Sequence, residues 1–130
     1  MITTAMTSFL PMFLIVIFAV ATLLPSFFTF DRLVRREHDV HRESWEADGR
    51  PHGLFWRPRS SGFWSSIRSG FATNSCMLIW VLRTPTWVRR DDEALRLLRR
   101  LRWFVGAWNI AVVVYAAIFL LMLFWSPRPG

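Results

Sequence analysis

The chain has 130 residues, 53% of them hydrophobic and 19% charged, with a formal net charge of +7 from sixteen basic side chains against nine acidic ones. That length makes one structural unit, and the lone cysteine, Cys76, excludes an internal disulfide. Every basic residue is arginine, and all the charges but Arg128 are confined to about 70 residues between two apolar stretches, which leaves no room for a large enzyme domain.

After residues 1–8, the first apolar stretch runs from Phe9 to Phe30 without Asp, Glu, Lys, Arg or His. At 1.5 Å per helical residue it is long enough to cross the roughly 30 Å hydrocarbon core of a bilayer. A spanning segment must satisfy its backbone hydrogen bonds internally, so it is predicted to be a helix. Ala19-Val20-Ala21 has the form of a signal-peptide cleavage site, but Met1 to Ser8 lacks the basic side chain such peptides carry. Retention as an anchor is expected.

Residues 31–102 hold fifteen of the sixteen arginines. Basic residues beside spans are retained on the cytoplasmic side, so this loop is expected there, with both termini outside. Arg32 to Asp48 is predicted to prolong the first helix as a solvated charged segment, stopped at Asp48-Gly49. Glu37, His38 and His41 offer too few ligands for a metal site, and no cofactor motif occurs.

From Gly49 to Arg90 there are seven arginines and no acidic residue, so the excess charge is concentrated here. Arg50, Arg57, Arg59, Arg68, Arg83, Arg89 and Arg90 alternate with Phe55, Trp56, Phe63, Trp64, Trp80 and Trp87. Arginine beside aromatic rings suits an anionic leaflet, a protein partner or nucleic acid. Because the loop is tethered at both ends beside the bilayer, anionic membrane lipid is its expected partner. A membrane-protein partner or a second copy is the alternative, and nucleic acid is not expected. Trp45, Glu46, Gly49, Arg50, Pro51, Gly53, Phe55, Trp56, Arg57 and Pro58 form a motif-like block of their own.

Phe71 to Leu82 is apolar but its uninterrupted run is too short for a third span. It is read either as an interfacial or re-entrant helix, with Met77, Ile79 or Trp80 at the headgroup boundary, or as the core of a small cytoplasmic layer. Thr84-Pro85 should end it.

Asp91-Asp92-Glu93 places acidic groups at a helix start, where the dipole favours them. Ala94, Leu97, Leu98, Leu101, Val105 and Trp108 then recur at helical spacing, predicting one stripe that runs without a break into the second apolar stretch, residues 103–125. Arg96, Arg99, Arg100 and Arg102 are expected to face headgroups or water. Leu97, Leu98, Leu101, Gly106 and Asn109 are the predicted helix-packing positions, with Gly106 allowing close approach and Asn109 bonding between helices. Residues 126–130 make a short outer tail.

The expected fold is an all-α membrane protein: two transmembrane helices in a hairpin, a helical cytoplasmic extension and an interfacial amphipathic segment. The Asp91-Asp92-Glu93 start, followed by an arginine-rich helix leading into the second span, resembles the bacterial universal stress protein B family. The likeness covers about a third of the chain by motif and the rest by architecture. It implies a two-span bacterial inner-membrane protein associated with stress or membrane integrity, non-enzymatic, with no catalytic residues to carry over. An accessory subunit of a larger membrane complex, docking through the same loop, is the other expectation.

Overall fold

In the computed structural model the described residues are 2–59 and 63–125, with side chains described for 10–59, 70 and 72–124. They form helices α1 (Ile2–Val40), α2 (Arg42–Ala47), α3 (Phe63–Leu82) and α4 (Asp92–Trp125), with a 3-10 turn at Val88–Arg90 before α4. No strand occurs among the described residues.

Helix α1 continues through Pro11 and Pro25 into the charged segment, but it ends at Val40 instead of reaching Asp48, because His41 leaves helical geometry and α2 begins anew. Proline removes an amide donor, yet the helix persists through both positions. Its hydroxyls fold back onto the helix itself. Thr22 donates to Phe18 O and Ala19 O, Ser26 to Leu23 O, and Thr29 to Pro25 O, so all three are buried without leaving a donor unpaired.

Burial is distributed opposite to hydropathy. Leu10, Phe13, Leu14, Ile17 and Phe18 of α1, and Val113, Leu120, Leu121 and Phe124 of α4, are exposed. The core instead lies in the charged part of the chain: Phe30, Leu33 and Val34 of α1, Cys76 and Trp80 of α3, Trp87 and Val88, and Ala94, Leu98 and Leu101 of α4. In water such an arrangement would expose the most apolar surface to the wrong solvent. α1 and α4 are each long and apolar enough to cross a membrane. They pack on each other from the Arg36–Asp91 pair to an apolar groove where Ile15, Ala19 and Leu23 lie beside Trp108, Ala111 and Tyr115.

The α4 stripe is observed. Ala94, Leu98 and Leu101 are fully buried, and Leu97 and Val105 pack against the same core. Gly106 and Asn109 do not act as expected: a Cβ on Gly106 would meet nothing within 4 Å, so no helix approaches closely there. Asn109 is exposed and donates to Val105 O of its own helix at 2.7 Å, because that carbonyl lies one turn back and within reach.

Helix α3 has one buried and one exposed apolar face, so its apolar run does contribute to a core. Cys76 and Trp80 face the core, while Leu78, Ile79 and Leu82 are exposed on the other side. Arg102 does not face headgroups or water, because Nε and Nη2 both donate to Trp80 O and Nη2 also reaches Thr84 Oγ1. A guanidinium at this end satisfies a carbonyl left open near the α3 C-terminus and complements its partial negative charge.

Candidate functional site

The segment Trp45–Trp56 is folded from three pieces, two of them local. First, α2 ends in a paired cap: Gly49 N–H donates to Glu46 O and Arg50 N–H to Trp45 O, with Gly49 at φ +85°. This is the stop expected at Asp48-Gly49. Second, Trp45 Nε1 donates to Pro51 O at 2.8 Å. Third, His52 and Thr73 bond reciprocally, the His52 amide to Thr73 Oγ1 and that hydroxyl to His52 O, which ties the loop to α3.

The loop is then anchored on α1 by Asp31. Its buried carboxylate accepts three successive backbone amides, Leu54 at 2.6 Å, Phe55 at 2.8 Å and Trp56 at 3.1 Å. A cradle of consecutive N–H groups is a natural anion seat, and here the anion is the chain's own. Gly53 makes this possible, since a Cβ there would fall 2.2 Å from Asp31 Oδ1. The motif-like block is therefore a docking loop.

Docking puts the arginine and aromatic side chains in defined places. Phe55 stacks on Phe28 with ring centroids 5.0 Å apart, and both rings are more than half exposed. Arg50, Arg57 and Arg59 are exposed around the loop, and Arg83, Arg89 and Arg90 are exposed near the start of α4. Trp56 is half-buried against the core and meets His38 edge-on. Trp80 and Trp87 are not surface anchors: they are 1% and 6% exposed, meeting each other edge-on, with Phe30 tilted against Trp80 and His41 against Trp87. Both rings find more apolar contact inside the layer than a headgroup boundary provides. The side chains of Phe63, Trp64 and Arg68, on α3, lie outside the described residues.

A second cluster joins the two long helices. Asp91 caps α4: Oδ1 accepts from the Glu93 and Ala94 amides, while Oδ2 accepts from Arg36 Nε at 2.7 Å and His41 Nε2 at 3.1 Å. The other arm of Arg36 pairs with Glu93. Burial alone would raise the Asp91 carboxyl, but the bonds from Arg36, His41 and Ala94 outweigh it and hold the group well below the usual carboxylate range. A folded pKa below the unfolded one contributes stability that is complete at neutral pH and is lost as pH falls below the ordinary aspartate range. Asp91→Ala is expected to cost about 2 kcal/mol, from the lost cap and charge-assisted bonds. Urea titration at pH 7 and pH 3 measures it, with the difference from wild type shrinking at pH 3.

Glu37 is a finding the sequence did not point to. The segment Arg32–Asp48 was expected to be solvated, yet Glu37 is fully buried and neither carboxyl oxygen has a hydrogen-bond partner among the described residues. Leu33 and Val34, four and three residues earlier on α1, are buried, and Glu37 shares their helical face. Burial pushes its carboxyl up to about 9, with the Asp48 charge adding to the shift. Cys76, whose Sγ lies 3.7 Å from Asp48 O, is likewise pushed up to about 12 by burial, which leaves it a protonated, unreactive thiol. Among the described residues no group of three or more His, Cys, Asp or Glu is placed to hold a metal ion.

Beside the Asp91 cluster the chain bends. α1 ends at Val40, His41 adopts φ −122° and ψ 53°, and α2 starts at Arg42. The bend opens a cavity of about 500 Å³ between the α2 start and the 3-10 turn.

Comparison with protein-family models, with curated proteins and with solved structures returns no match.

Proposed function

We propose that the chain is a two-span protein of the bacterial inner membrane, a helical hairpin whose arginine-rich layer rests on the anionic cytoplasmic leaflet. It acts without catalysis, supporting membrane integrity or stress tolerance. The exposed apolar lengths of α1 and α4 support insertion, and the arginine asymmetry supports a cytoplasmic layer with both ends outside.

The observation that carries the leaflet reading is the exposed Phe28–Phe55 stack. Phe28 belongs to the last turns of the first apolar stretch, so its partner Phe55 brings the docking loop to the level where that stretch meets headgroups. Exposed Leu54, Leu78, Ile79 and Leu82 add apolar surface, and exposed Arg50, Arg57 and Arg59 add positive charge. Apolar insertion together with cationic attraction is how interfacial segments hold to anionic lipid.

A nitroxide on Leu54→Cys, in a Cys76→Ala background and phosphatidylglycerol-containing vesicles, tests the reading. High oxygen and low nickel-chelate accessibility is expected, placing the label at the headgroup and acyl boundary. Full nickel accessibility would refute leaflet contact, and a stoichiometric protein co-purifying in mild detergent would favour the accessory-subunit reading.

A further inference from the structure

We infer that the cavity between the α1–α2 bend and the 3-10 turn is a binding site for a small soluble phosphate ester. This goes beyond the leaflet reading and depends on different residues. His41, Arg42, Glu43 and Ser44 wall one side, and Thr86 and Arg90 the other. The volume, about 500 Å³, is that of a small-ligand site.

The lining chemistry selects the ligand. Arg42 and Arg90 line the cleft with Glu43, and Arg42 is also paired with Glu46, so the guanidinium left to attract an anion is that of Arg90. Arg90 is exposed and has no ion pair among the described residues. Arg42 lies over the Trp45 ring at 4.9 Å and commits Nε to Glu46 and Nη1 to His38, so only Nη2 has no hydrogen-bond partner among those residues. Planar guanidinium donors match the oxygens of phosphate. The Ser44 and Thr86 hydroxyls add short donors, and Glu43 is an acceptor suited to a hydroxyl on the ester.

His41 is held ready. Its Nε2 bonds to the Asp91 carboxylate, which only accepts, so that nitrogen carries the proton. Arg36 holds the same carboxylate, and the Trp87 ring lies 5.1 Å from the imidazole. The ring is thus fixed on both sides before any ligand arrives, which lowers the ordering cost of binding.

Position favours a soluble ligand over a bilayer headgroup. α1 runs unbroken from the apolar stretch ending at Phe30 to Val40, so His41 stands about 16 Å further along the helix axis.

Calorimetric titration of the full-length chain in phosphatidylcholine nanodiscs with glycerol 3-phosphate tests the site. Saturable binding at one site per chain is expected, with no response to glycerol. Arg90→Gln should weaken it about tenfold, the loss of one charge-assisted contact, and Thr86→Val should weaken it less. Both residues are outside the core, so melting temperatures should match wild type; Arg57→Gln should leave the affinity unchanged. No saturable binding, or equal affinity in Arg90→Gln, overturns the site. A response seen only with phosphatidylglycerol in the disc, and not with the soluble ester, overturns the soluble-ligand assignment.

Discussion

Gly53→Ala is expected to undock the loop and cost about 4 kcal/mol, because the new Cβ and the Asp31 carboxylate cannot share the same space. The Cβ would lie 2.2 Å from Asp31 Oδ1 and 2.5 Å from its Cγ, so either the carboxylate withdraws or the loop lifts. In both cases the amides of Leu54, Phe55 and Trp56 lose their acceptor at once. Each lost bond to a charged group costs about 1.5 to 3 kcal/mol, and partial hydration of the loop offsets some of that. Asp31→Asn, which keeps the shape but points an NH2 at amide donors, should produce a smaller loss in the same direction. Denaturant titration followed by tryptophan fluorescence reports directly, since Trp45 and Trp56 flank the dock. Trypsin should also cleave sooner after Arg59, the loop arginine not followed by proline. Wild-type midpoints and cleavage rates in both variants would sink the docking account.

Glu37→Gln is expected to stabilise the protein, an unusual outcome for a fully buried residue. The unfolded carboxyl ionises near 4.5 and the folded one near 9. Between those values the native state holds a proton that the unfolded state has released, so stability falls as pH rises. At pH 7 that difference amounts to about 3 kcal/mol, which glutamine, having no proton to lose, does not forfeit. Glu37→Leu should gain more, because it also removes two buried oxygens that have no hydrogen-bond partner among the described residues. Thermal melts in detergent from pH 5 to pH 9 separate the cases: the wild-type midpoint declines with pH, and that decline is absent in both variants. A wild-type profile that is flat across this range would mean that Glu37 is solvated.

Such a stability cost is retained for conformational specificity in some proteins. Here Glu37 follows Arg36, which bonds Asp91, so repacking it is also expected to alter that cluster.

Composition and local order sufficed for the frame. Charge-free runs marked the apolar lengths of α1 and α4, the 3.6-residue stripe from Ala94 to Val105 marked one continuous helix, and Asp48-Gly49 marked a helix stop. These features depend on residues a few positions apart, and the local backbone responds to them directly. The partners of Asp31, 23 to 25 residues away, and of Arg36, 55 residues away at Asp91, leave no such periodic trace. Nor does the direction of a long amphipathic side chain: Trp80, Trp87 and Arg102 suit a headgroup boundary by type, and only packing turned them inward. The same holds for Glu37, whose place among charged neighbours suggested water, whereas its position on the helix surface put it beside Leu33 and Val34 in the core. Helical phase decides burial once a partner surface exists, and that surface comes from distant parts of the chain.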